Sequence, residues 1–312
     1  MTPRRSSGYF YRTSRKISFL LRRGSFFRPG RRETKGHKKD HTIPSGAFTL
    51  IGINSTVIFL LAYVLVFLVY NGATAVAALA FDIPTIIHSS DVVFLIKGVG
   101  WTADSVKVVY SAGPLAALLA GVVLIIVYNI VAGENGILRL LVLWMFAHCT
   151  VFLFGEIMMG SLFSRGFGYV LMYLYAKDTV MLVITVLALI GMISAGFRFA
   201  RFFVISANIY FNELPSFYIR KFLTAQVLIP FVAGNAIIYL VKLPEMSPYD
   251  VTLNLTMLFL LVPVVIQGSR LEDFYFDEDP RRIRLNMVFM IVTLAMMIAF
   301  RVTTGAGLKL FF

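Results

Sequence analysis

The stretch "LVLWMFAHCTVFLFGEIMMG" (residues 141–160) places His148 and Glu156 among otherwise apolar residues. Hydrocarbon penalises ionisable side chains, so such residues mark a proton path, an ion site or a polar joint between helices. Eight residues of helix set the two ~12 Å apart along the axis and ~80° apart around it, too far for direct contact. Each therefore needs its own partner from another helix, the backbone or water. Asn54, Tyr63, Asn129, Gln226 and Asn235 are the intramembrane candidates. Asp178 opens a later apolar run on the same side as Glu156, and Arg165 and Lys177 lie between them in sequence, which sketches a wet vestibule there. The first expectation is that His148 and Glu156 join helices. The second is a proton or ion path through them.

Metal chemistry would need clustered donors. The four histidines are His37 and His41 among lysines near the N-terminus, His88 in a loop and His148 in an apolar run. No pair in the apolar part has the i, i+4 spacing that sets two imidazoles on one helix face. The single cysteine, Cys149, excludes an intramolecular disulfide and any cysteine-rich centre. No catalytic, cofactor or metal residue is expected, and the pattern points away from an enzyme.

The elements that must position these residues are membrane spans. The chain is 58% hydrophobic and only 14% charged. Its apolar residues fall in runs near the ~20 residues that cross a bilayer, at 48–71, 108–131, 138–162, 178–198, 219–241, 251–268 and 284–303. The expected fold is an all-α polytopic membrane protein of about seven transmembrane helices, with a short external hairpin-like segment between the first two. Residues 1–47 form a basic tail and 48–312 the membrane domain. The tail holds most of the +13 net charge: 13 Lys/Arg in residues 1–41 face only Glu33 and Asp40. Cations favour the cytoplasmic side, so the N-terminus is expected inside and the C-terminus outside, in a bacterial cytoplasmic membrane. The Arg- and Ser-rich tail keeps a mitochondrial inner membrane as the alternative. Anionic lipid headgroups and other membrane subunits are the expected partners; no RNA-binding motif accompanies the basic residues, so no nucleic acid is expected.

Residues 72–107 are apolar but broken by Pro84, Gly98 and Gly100, and "DVVFLIKGVGW" has the β-branched residues and glycine punctuation of a short strand or hairpin. The following "YSAGPLAALLAG" repeats small residues every fourth position, Ala112, Ala116 and Ala120 beside Gly113, Ala117 and Gly121. Such stripes let a second helix approach closely. A strand-like segment followed by "AGPLAALLAG" resembles the core of site-2-type intramembrane metalloproteases, where Ala-Gly-Pro and small residues begin the helix after short β-hairpins. That resemblance implies a zinc helix with HExxH upstream, but "FTLIGINSTVIFLLAYVLVFLVYNG" has no His, Glu or Asp. The later Asn-Pro…Asp-Gly element is also missing, and "LPEMSPYD" does not replace it. The resemblance therefore implies a degenerate, catalytically inactive relative.

The expected function is a non-catalytic scaffold or accessory subunit of a membrane complex. A transporter or proton-linked pore using Glu156 and His148 is the alternative, and a metal-dependent membrane hydrolase with an unrecognised site is the third.

Overall fold

A computed structural model describes residues 45–96, 98–131, 136–276 and 283–310. Residues 1–44 of the basic tail and the acidic-basic stretch 277–282 lie outside the described residues. Seven helices are long and apolar enough to cross a membrane. They are α1 (Ser45–Leu79), α2 (Ala103–Ile130), α3 (Gly136–Phe163), α5 (Asp178–Ile205), α6 (Ser216–Lys242), α7 (Pro248–Gly268) and α8 (Met287–Gly305), with a short α4 (Phe167–Tyr173) between the third and fourth spans. The chain is an all-α polytopic membrane protein.

Six of the seven spans run longer than the apolar runs suggest; the last, at 19 residues, does not. At 35 residues, α1 continues through "NGATAVAAL" beyond residue 71. At ~1.5 Å per residue it exceeds the ~30 Å hydrocarbon thickness and projects past the bilayer. The second span starts at Ala103 because Thr102 and Ser105 form a capping box, the Thr102 hydroxyl accepting from the Ser105 backbone N–H. Ala112-Gly113-Pro114 therefore lies inside α2, not at its start.

The innermost helix is α1, with 78% of its best apolar window buried, against 22% in α5 and in α8. The outward residues of α2 and α5, such as Leu119, Ile126 and Leu187, are exposed, as a lipid-facing surface requires. The small-residue stripe of α2 turns inward. A Cβ at Gly113 would lie 2.6 Å from the Tyr70 ring, Ala117 is 1% exposed, and Gly121 faces Phe146 and Cys149 of α3 at van der Waals distance. Ala112, Ala116 and Ala120 stay half-buried at the flank of that contact.

Polar side chains fasten the core where each helix lacks a partner of its own. Pro230 in α6 has no N–H for the carbonyl four residues back. That carbonyl, of Gln226, accepts instead from the Ser55 hydroxyl (2.7 Å), and Ser55 in turn accepts from Trp144 Nε1 (2.9 Å). Thr224–Leu228, around Gln226, is a π-helical turn, as expected where the backbone ladder is interrupted. Asn54 likewise clamps α8: its Nδ2 donates to Arg284 O (2.8 Å) and its Oδ1 accepts from Asn286 N (3.0 Å).

At the C-terminal end of α1 a small sheet follows. Strand β1 (Thr85–Ile87) pairs antiparallel with β2 (Val92–Phe94), Ile86 opposite Val93. On its other edge β1 pairs with β5 (Leu308–Leu310), Ile86 opposite Lys309. At the opposite end of the bundle β3 (Glu213–Leu214) pairs with β4 (Phe274–Tyr275). The hairpin between the first two spans is thus present, and β5 completes it as a three-stranded sheet.

Candidate functional site: a polar cavity between the hairpin and the bundle

The residues that converge at the hairpin end come from distant parts of the chain. Tyr63, Phe67, Tyr70, Asn71 and Thr74 lie on α1 at the spacing of one helix face; α3 supplies Phe152 and Glu156, and α2 supplies Tyr110. Arg165 and Gly166 come from the turn into α4 and Tyr169 from α4 itself, Asp91 and Phe94 from the hairpin, Lys242 from the end of α6, and Tyr249, Asp250 and Asn254 from the start of α7. They enclose a cavity of about 360 Å³.

The strongest electrostatic feature of its wall is an ion pair. Lys242 Nζ lies 3.1 Å from Asp250 Oδ1, with only 2% and 9% of the two side chains exposed. Local sequence places both groups. The short turn after Lys242 returns the chain to Ser247, whose hydroxyl caps α7 by accepting from Asp250 N (3.2 Å), while Asp250 Oδ2 accepts from Ser247 N (3.1 Å). One carboxylate oxygen is thereby spent on the helix cap and the other on the lysine. The Lys242 ammonium also stands 5.7 Å from the Tyr63 ring centroid and 5.5 Å from that of Phe67, within cation–π range.

Glu156 follows a π-helical segment of α3, Val151–Gly155. The widened turn alters the angular relation to His148 that a regular helix would give. Single π turns cluster at functional sites. The Glu156 side chain is 4% exposed and faces the Tyr70 and Tyr249 hydroxyls and the backbone N–H of Phe167. It forms no ion pair among the described residues, although Arg165 lines the same cavity. Gly166 makes room for it: a Cβ there would collide with the Glu156 carboxyl.

The rim carries further charge. Loss of surrounding solvent, with the Asp250 carboxylate adding to it, raises the Asp91 carboxyl above the ordinary aspartate value. At Glu245 partial burial pulls upward, but the Ser89 hydroxyl and backbone N–H both donate to its carboxylate and, with His88, hold it below the usual range. This contact ties the hairpin to the turn between α6 and α7.

His148 is not part of the cavity wall. It is 2% exposed, its ring 4.6 Å from that of Phe59 and 5.5 Å from that of Tyr63, with Nε2 3.3 Å from Phe59 O. It joins α3 to α1 behind Tyr63, and Glu156 and His148 belong to different environments. Asp178 is exposed at the start of α5 and absent from the cavity wall. Asn129 is exposed and donates to Ile125 O of its own helix (2.9 Å); Asn235 is buried and donates to Phe231 O, also in its own helix (2.7 Å). Of the polar candidates singled out in the sequence, Glu156, Tyr63 and Arg165 line the cavity, and the others do not.

Lys242, Asp250, Tyr70 and Tyr249 complete the site and were not singled out. The sequence did contain one signal for them. "SPYD" is a capping-box pattern, which starts a helix at Pro248 and fixes Asp250 in its first turn. Among the described residues no three His, Cys, Asp or Glu side chains are grouped to hold a metal ion. Comparison of the chain with models of protein families, with curated proteins and with solved structures found no match.

Proposed function

We propose that the chain is a non-catalytic, ligand-binding membrane protein of the carrier or receptor type, and that the hairpin-side cavity holds a small polar solute. The supporting observation is Glu156: a buried carboxyl that lines a cavity and forms no ion pair among the described residues, beside a buried Lys242–Asp250 pair. Ionisable groups at membrane depth are expensive and are kept where they meet a solute, an ion or one another. Concave sites with a few convergent polar groups on an aromatic wall are the usual form of small-molecule sites.

The test uses the one cysteine. Cys149 is buried, so a thiol-reactive dye reports unfolding of detergent-purified protein. Screened against cationic, zwitterionic, anionic and neutral polar solutes, at least one class is expected to raise the thermal midpoint, and Glu156→Gln to diminish that rise. If no solute moves the midpoint and a partner chain co-purifies at fixed stoichiometry, the assignment is overturned in favour of the scaffold.

That scaffold or accessory-subunit role is the second reading. Ala112, Ala116 and Ala120 favour it, since they form a small-residue strip that stays half-buried beside the internal contact, open to another helix. A degenerate site-2-protease-like core fits either reading, with the order strand, strand, helix containing Ala-Gly-Pro in its support.

The proposed orientation puts the N-terminus inside a bacterial cytoplasmic membrane and the cavity outside, on the strength of the 13 cations in residues 1–41. A mitochondrial inner membrane is the alternative. Tyr175 is 93% exposed on the hairpin side, and Glu272 is exposed on the other side. In intact cells Tyr175→Cys is expected to react with an impermeant maleimide and Glu272→Cys only after lysis. The reverse pattern would invert the topology.

A further inference from the structure

We infer that the ligand of this cavity is an organic cation, an ammonium group seated against Glu156; the inference rests on the cavity being a binding site. Three observations converge on that chemistry. The first is the uncompensated carboxyl. Glu156 is 4% exposed and makes no ion pair among the described residues. Burying a carboxylate without a counter-charge is costly, and a bound cation at hydrogen-bonding distance would offset that cost.

The second is the wall around it. Tyr70 and Tyr249 face the carboxyl, the Phe152 ring lies tilted 4.9 Å from that of Tyr70, and Tyr110 and Tyr169 meet at 5.0 Å nearby. Aromatic faces with a carboxylate among them recognise ammonium groups through the ring quadrupole.

The third is that the protein already uses this recognition once. The Lys242 ammonium lies over the Tyr63 and Phe67 rings and is bonded to Asp250. The charge of Lys242 is thus already balanced within the chain. The Glu156 half of the cavity repeats the same elements, a carboxyl and aromatic rings; the cation in its wall, Arg165, forms no ion pair with Glu156 among the described residues. Asp91 at the rim adds a further negative charge on the approach.

An ammonium group reaches a membrane cavity either as a free amine or choline-like solute or as a phospholipid headgroup. The experiment separates these sources. Detergent-purified full chain is assayed for equilibrium binding of radiolabelled choline and ethanolamine, with 3,3-dimethylbutanol, the uncharged isostere of choline, and glutamate as competitors. In parallel, the chain in nanodiscs of phosphatidylethanolamine, phosphatidylcholine or phosphatidylglycerol is analysed for retained lipid. The expected result is saturable binding of an ammonium probe, or selective retention of an ammonium headgroup. The isostere and glutamate should not compete, and Glu156→Gln should weaken binding about tenfold or more. Choline binding in detergent assigns a free solute; retention of ammonium lipids without choline binding assigns a headgroup. Equal competition by the uncharged isostere would overturn the cation inference whether or not the Glu156 variant folds. If glutamate or a neutral solute binds and no ammonium does, the cation inference falls and the binding site stands. If no probe, lipid or solute of any class binds, both fall.

Discussion

Lys242→Met is expected to destabilise the protein by about 3–5 kcal/mol, because it leaves Asp250 as a buried, uncompensated charge. The loss should exceed that of the reciprocal change. Asp250→Asn strands the lysine beside the Tyr63 and Phe67 rings, which still stabilise a cation. Asn at position 250 also keeps an oxygen that can accept from Ser247 N, so the α7 cap is retained. The double variant Lys242→Met, Asp250→Asn removes both charges and should recover most of the stability lost in the first. Thermal unfolding of purified protein measures all three, at about 2–4 °C per kcal/mol for a chain of this size. If the double variant is as unstable as Lys242→Met, the loss arises from packing around the lysine stem and not from the unpaired charge.

The contrast between this pair and Glu156 shows what a sequence can and cannot display. Glu156 stands out because its neighbours on both sides are apolar. Lys242 and Asp250 lie within "VKLPEMSPYD", where proline and charge make a loop the natural expectation. Their burial comes from α1 and the hairpin packing over that turn, which no local pattern encodes. The number of spans was legible because each must satisfy its own backbone in about twenty apolar residues. Span ends were less so: α1 continues past Gly72 through alanines that are only mildly hydrophobic, and the start of α2 depends on a Thr-Ser cap. The hairpin could be anticipated from "DVVFLIKGVGW", whereas its pairing with "LKL" joins residues more than two hundred positions apart. In sequence His148 shares the apolar surroundings of Glu156, each needing a partner of its own. It is separated by the π turn and by the Phe59 and Tyr63 rings that enclose it.

The turn beside Glu156 supplies the sharpest probe of the cavity. Gly166 has φ +50° and ψ −122°, a region open to glycine and strained for residues with a Cβ. Gly166→Ala therefore carries two penalties. Backbone strain alone costs about 1–3 kcal/mol, and the new methyl would collide with the Glu156 carboxyl. The turn or the carboxyl must move, and either movement reshapes the cavity wall around Glu156. Gly72→Ala is the control, since a Cβ there meets nothing within 4 Å; an interior helical glycine replaced by alanine should gain about 0.5–1 kcal/mol. Gly166→Ala is thus expected to lower the thermal midpoint and to abolish solute binding, while Gly72→Ala raises the midpoint and leaves binding intact. Combining Gly166→Ala with Glu156→Ala separates the two penalties, because shortening the acid removes the collision but not the strain. The double variant should be more stable than the sum of the single losses predicts, by the energy of the clash. Strict additivity would mean that the carboxyl does not rest against Gly166, and the geometry assigned to the buried acid would have to be abandoned.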